Sequence, residues 1–166
     1  MRLSEARIFA GLNAVSERWH APVWTAMQLG SLGGSLATGA VVAAAGRPRL
    51  GRRLALVGSL AWVGSKVVKP FARRGRPSSL VGVVRVLGRE QAGLGYPSGH
   101  AAVAVAMAVA AAPHVPGRWR MPLAATSVGV GAARVYVGAH LPLDVAGGMA
   151  LGVATERAVR AVKGPV

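Results

Sequence analysis

Apolar residues in this chain gather into blocks about as long as a bilayer is thick, and that arrangement constrains the fold more than any other feature. Residues 21–45 carry no formal charge, and residues 54–68 carry only Lys66. Three further blocks follow at 100–115, 121–137 and 141–159. Read as helices they predict an all-α, polytopic membrane bundle of five transmembrane helices. Five crossings put the segments after the second span, before the third and between the fourth and fifth on one face of the membrane. With 52% hydrophobic but only 5% aromatic residues, such a bundle must be held by packing of small and aliphatic side chains in lipid.

The segments between the blocks carry the charge. The net charge of +15 raises nucleic-acid binding, but Lys and Arg sit between apolar blocks and form no continuous basic stripe. The expected partners are therefore the lipid bilayer and a lipid phosphate, with no nucleic acid. Zero cysteines exclude disulfides, thiolate metal sites and thiol catalysis. Glu5 and Glu17 interrupt the first twenty residues, which do not resemble a cleavable signal. There Ile8, Leu12, Val15 and Trp19 recur at helical spacing, which predicts an interfacial amphipathic helix over 1–20 ahead of a catalytic bundle over 21–160, within a single domain spanning 1–166.

Local signals fill in the rest. Gly30 and Gly34 at small-xxx-small spacing predict close helix contact in the first span. Arg47, Arg49, Arg52 and Arg53, with Pro48 and Gly51, predict a loop. Residues 70–97 form the one long polar connection, a length that points to function. Within it, Leu80, Val81, Val83, Val84 and Leu87 fit a short interfacial helix or, alternatively, simple loop packing. Arg73, Arg74, Arg85 and Arg89 are expected to reach lipid headgroups. His20, His114, Trp19, Trp24 and Trp119 read as interfacial residues, and Trp62 as helix packing.

Three polar clusters stand out on the predicted common face. Lys69 precedes Arg76-Pro77. Pro97-Ser98-Gly99-His100 opens the third span, where Ser98 suits an N-cap and a helix N-terminus offers free N–H groups to an anion. His140 and Asp144 lie four residues apart around Pro142, so the carboxylate is placed to receive an imidazole N–H and leave the other nitrogen as a nucleophile. A helix-capping Asp beside an interfacial His is the alternative. Arg134, an ionisable group near the end of the fourth span, favours function.

These residues resemble the motifs of the type 2 phosphatidic acid phosphatase superfamily, whose relatives include lipid phosphate phosphatases, bacterial nonspecific acid phosphatases and vanadium haloperoxidases. The family pattern is Lys, six residues, Arg-Pro; then Pro-Ser-Gly-His; then Ser-Arg, five residues, His, three residues, Asp. Lys69 with Arg76-Pro77, Pro97 to His100, and Arg134 with His140 and Asp144 match it in order. Ala133 stands where the pattern has Ser, and the resemblance covers residues 54–160. It implies that His140 is the nucleophile, Asp144 its orienting partner and His100 the acid. It also implies that Lys69, Arg76, Ser98, Gly99 and Arg134 hold the phosphate, with no metal or cofactor. Glu5, Glu17 and Glu156 lie far from these motifs in sequence, which leaves few carboxylates for a two-metal cage.

The small bundle and an Ala, Gly, Val and Arg bias point to a bacterial enzyme acting on polyprenyl phosphates, pyrophosphates or a phosphoribose lipid. Phosphatidylglycerophosphate and phosphatidic acid remain as substrates. A noncatalytic lipid-binding protein and a vanadate-dependent haloperoxidase are the other readings. Lys and Arg divide 11 to 9 between the two faces, so charge does not orient the bundle. The resemblance implies a multi-pass protein of the bacterial inner membrane with its site on the extracytoplasmic side.

Overall fold

The computed structural model describes residues 3–89 and 91–166, and in them the chain is helical with no strand. The helices are α1 (Leu3–Asn13), α2 (His20–Met27), α3 (Leu32–Ala44), α4 (Pro48–Ala72), α5 (Pro77–Leu80), α6 (Gly99–Ala111), α7 (Gly117–Tyr136) and α8 (Pro142–Lys163). Among the described residues one stretch, Pro48–Leu80, is long and apolar enough to cross a membrane by length and composition, and Leu32–Ala44 and Gly99–His114 are shorter apolar helices.

Helix α6 is the axis of the bundle. Ala101, Ala102, Val103, Ala104, Ala106, Met107, Ala108 and Ala110 are all buried, so it is enclosed on nearly every side. Leu50, Leu54, Val57 and Ala61 of α4 and Val159 of α8 complete its main core. Small residues set the spacing: any side chain on Gly148 or Gly152 of α8 would collide with the carbonyls of Ser98 or Ala102. Gly39 of α3 and Gly51 of α4 face each other's backbones in the same way.

The first predicted span is broken. Ser31 leaves helical geometry, accepts the Gly34 N–H at 2.8 Å and donates to the Gln28 carbonyl at 2.7 Å, starting α3 afresh after a 3-10 turn over Gln28–Gly30. Gly30 makes a close approach, to the His100 carbonyl and Val130, whereas Gly34 only clears the chain's own turn at Gln28. The arginine-rich segment predicted as a loop is the start of α4, because Pro48 at the first helical position has a fixed φ suited to helix entry. That helix continues through Pro70 and ends at Arg73, whose φ of 49° is left-handed.

Of the two readings of residues 80–87, the interfacial helix does not form and the loop packing does. α5 has only four residues, and the chain beyond it packs as irregular backbone against the end of α7. Leu87 N–H bonds to the Val137 carbonyl at 3.1 Å. Asn13 receives the Arg85 N–H at 3.0 Å and donates to the Arg85 and Tyr136 carbonyls at 2.8 and 2.9 Å, so its amide satisfies backbone that a helix would have satisfied internally.

Helix α1 is shorter than the predicted 1–20, whose first two residues lie outside the described ones. Its inward face is Glu5, Phe9 and Asn13, each buried and four residues apart. Ile8, Val15 and Trp19 are 54%, 40% and 50% exposed. Leu12 of the predicted stripe packs instead against the core beside Phe9, and Val15 and Trp19 lie beyond the end of α1.

At the opposite end of the bundle from the motifs, Arg53 and Glu156 form a two-pronged ion pair with both N···O distances 3.0 Å, at 6% and 2% exposure. Removing one partner strands a buried charge, so Glu156→Ala is expected to destabilise the protein by about 3 kcal/mol, whereas Arg53→Met with Glu156→Leu restores most of it. Thermal unfolding in detergent checks this; equal losses in the two proteins would contradict it.

Candidate active site

The three sequence clusters meet at one end of the bundle. The N-terminus of α6 abuts the start of α8, where Ser98 N–H donates to the Asp144 carbonyl at 2.8 Å. Ala101, Leu141 and Val145 form the apolar floor beneath this junction. The Arg76 guanidinium reaches across to the Ala139 carbonyl at 2.8 Å, tying the segment after α4 to the α7–α8 turn.

Asp144 is fully buried, and both its oxygens are engaged. Oδ1 accepts from Arg74 Nη1 at 3.0 Å. Oδ2 accepts the Leu141 N–H at 2.9 Å and lies 3.6 Å from His140 Nδ1, just beyond hydrogen-bond length. The same oxygen thus caps α8 from its third position and faces the imidazole, whose Nδ1 is buried without a hydrogen-bond partner among the described residues. His140 itself is 3% exposed. Burial, reinforced by Arg134 and Arg76 and opposed by Asp144, brings its imidazole down from the ordinary 6.5 to about 4. The ring is neutral at physiological pH, the state a nucleophilic nitrogen requires.

Arg134 is 2% exposed, with Nη1 3.3 Å from Met27 Sδ and Nη2 donating to Gln91 Oε1 at 3.2 Å. Its Nε is buried without a partner among the described residues. Arg76, Arg134 and Gln91 enclose a cavity of about 10 Å³, room for a single water. Ser98 caps α6, its Oγ 3.5 Å from the Ala101 N–H. Gly99 serves close packing: a Cβ there would sit 2.8 Å from Ser65 Oγ and 3.3 Å from the Trp62 ring. The His100 ring, on the first turn of α6 and half-buried, meets Trp62 edge-on with centroids 5.6 Å apart.

The ammonium of Lys69 differs from a free phosphate ligand. It donates to the carbonyls of Leu94, Gly95 and Pro97 at 3.0, 3.0 and 3.1 Å, which uses all three of its protons and fixes the loop that delivers Ser98.

Two residues of this cluster lie outside the sequence motifs. Arg74, expected to reach headgroups, joins Asp144 to Glu5. Glu5, distant in sequence, is 4% exposed and accepts from Arg74 at 2.7 Å and from Leu143 N–H at 3.1 Å. The signal for Glu5 was the Glu5, Phe9, Asn13 stripe, a second helical face that runs beside the apolar one. Among the described residues no group of three or more acidic or imidazole side chains converges as a metal site.

Cations, two imidazoles and a carboxylate gathered at one end of a helical bundle make a set of groups suited to holding and transferring a phosphoryl group. Residues 50–164 match the PAP2 superfamily, and the chain belongs to that family. Its fold is similar to the crystal structure of Aquifex aeolicus LpxE, with a TM-score of 0.81, 25% identity and 92% of each chain covered. It is also similar to a transmembrane PAP2-type phosphatidylglycerolphosphate phosphatase from Bacillus subtilis, with a TM-score of 0.74, 23% identity, and 96% of this chain and 84% of that one covered. No curated protein sequence matches the chain.

The electrostatics of His140 are open to direct measurement. In ¹⁵N-histidine NMR of the ligand-free protein, the signal lost in His140→Asn is expected to stay neutral as pH falls through the usual histidine range and to titrate near 4. A midpoint near 6.5 would contradict the burial argument.

Proposed function

We propose that this protein is a membrane-embedded lipid phosphate phosphatase that works through a phosphohistidine and needs no metal ion. The observation that carries the reading is the neutral, buried His140 with Asp144 behind Nδ1 and Arg134 and Arg76 beside it. In the proposed reaction His140 Nε2 attacks phosphorus and the bond to the lipid oxygen breaks. His100 gives that oxygen a proton. Asp144 stabilises the ring as it becomes cationic. Water then attacks the phosphohistidine, His100 takes its proton, and inorganic phosphate leaves.

Arg76, Arg134 and the Gly99 N–H, with Ser98 at the start of α6, would hold the equatorial phosphate oxygens, where charge spreads in the transition state. The 10 Å³ space is too small for phosphate, so Gln91 must leave Arg134 for a phosphate oxygen to replace its amide oxygen. Lys69 contributes charge and holds the 94–97 loop.

The five-span reading assigns α2 with α3, α4, α6, α7 and α8 to the crossings, within a single domain of the bacterial inner membrane with its site on the extracytoplasmic side. For substrate we favour a polyprenyl phosphate, pyrophosphate or phosphoribose lipid. An apolar groove supports a long chain: it runs from Leu29 and Val130, level with His100, past Ala104 and Met107 to Ala111 and Leu123.

The test is phosphate release in detergent from farnesyl phosphate, farnesyl pyrophosphate, phosphatidylglycerophosphate and phosphatidic acid. Turnover is expected to be fastest on the farnesyl compounds, to persist with chelator and to be inhibited by vanadate, which mimics five-coordinate phosphorus. His140→Ala is expected to abolish turnover, and His100→Ala to slow it by about 100-fold or more. Preference for a glycerolipid would move the substrate assignment, and strict dependence on a divalent ion would reject the mechanism.

A further inference from the structure

Four ionisable side chains from three parts of the sequence form a continuous line at the polar end: Glu5 of α1, Arg74 after α4, Asp144 of α8 and His140 before it. Arg74 Nη2 lies 2.7 Å from both Glu5 oxygens while Nη1 lies 3.0 Å from Asp144 Oδ1, so one guanidinium divides itself between two carboxylates. Glu5 and Asp144 are 4% and 0% exposed. Two buried carboxylates this close need a cation between them, and Arg74, 22% exposed, is the one in place. Glu5 is locked in turn by the Leu143 N–H, in the first turn of the same helix that carries Asp144. Gly95 closes the line from above, where a Cβ would lie 2.9 Å from Asp144 Oδ2.

We propose that Glu5 and Arg74 are positioning residues for catalysis, through which α1 sets the orientation and the effective charge of the carboxylate that faces His140. Arg74 fixes Oδ1, which leaves Oδ2 as the oxygen turned to Leu141 N–H and the imidazole. Glu5 takes up part of the guanidinium's charge, so that Asp144 keeps enough negative character to stabilise a cationic ring. The inference rests on the reading of His140 as nucleophile for its effect on rate. Its effect on the His140 titration is independent of that reading.

The two substitutions act on His140 in opposite senses. Removing the cation in Arg74→Gln strengthens the pull of Asp144 on the imidazole proton and raises the His140 midpoint. Removing the anion in Glu5→Gln leaves Arg74 uncompensated and lowers it. The other charged or titratable groups around His140 are Arg134 of α7, Arg76 of the segment after α4, and His100 of α6, with Lys69 at the end of α4 acting on Asp144, and these are unchanged in both variants. Simple loosening of the fold does not produce shifts of opposite sign.

The experiment pairs the ¹⁵N-histidine titration with steady-state kinetics on farnesyl phosphate, using full-length protein in detergent with melting temperatures alongside. Arg74→Gln is expected to lower kcat by about tenfold or more with KM within about twofold, and Arg74→Lys to recover part of it. Glu5→Gln is expected to lower kcat by less, and the double variant to be no slower than Arg74→Gln, because Glu5 acts through Arg74. Since the double variant also removes the stranded carboxylate, it serves where Arg74→Gln fails to fold. Additive losses in the double variant, unshifted or same-direction midpoints, or a changed KM at constant kcat would overturn the proposal. If the wild-type protein releases no phosphate from any substrate, the proposed function fails, and the two titration shifts still decide the roles of Glu5 and Arg74.

Discussion

Complete burial of the Asp144 carboxylate governs the polar end of this bundle. An ionised group with no access to water needs compensation from all sides, and the surrounding chain provides it from three directions. The guanidinium of Arg74 comes from the segment after α4, the Leu141 N–H from the mouth of α8, and Glu5 of α1 holds that guanidinium in place from its far side. Each brings its own stretch of chain to the same point. The carboxylate's own backbone carbonyl receives Ser98 N–H, so the start of α6 is drawn to it as well. The site and the helix junction are built from the same contacts.

The remainder of the bundle is shaped by the need to bring helices close without large side chains. Glycines on α8 meet carbonyls on α6, and glycines on α3 and α4 meet one another. Close backbone contact of this kind gives dispersion attraction where lipid offers no hydrophobic driving force. It also makes the core intolerant of added volume, since the obstructing atoms are backbone.

Much of this was legible in the sequence, and the losses have definite causes. Helices α4, α6, α7 and α8 were visible as apolar blocks, because enclosure in lipid or protein demands uninterrupted apolar sequence. Their ends were less so: the arginines at 49, 52 and 53 read as loop by composition, while Pro48 and the buried partner Glu156 put them in a helix. The break at Ser31 came from a single side chain competing for backbone hydrogen bonds inside an uncharged run, which hydropathy does not register. Residues 81–89 were apolar enough for a helix, yet Asn13 captured their backbone from far away in sequence. At the site, spacing and family resemblance placed eight residues, all of which lie at the same end. Glu5 and Arg74 escaped because their meaning lies in each other, and a long-range ion pair leaves no periodicity to read.

Lys69 shows how little a matching charge says about interchangeability. Its three protons leave one nitrogen in a tripod, and three carbonyls of a single short loop receive them. A guanidinium is flat, and its donors fan out within a plane. Arginine at this position would keep the positive charge and lose the anchor, letting the preceding loop drift from the helix start it delivers. Selection at position 69 would then act on the shape of the cation as strictly as on its sign.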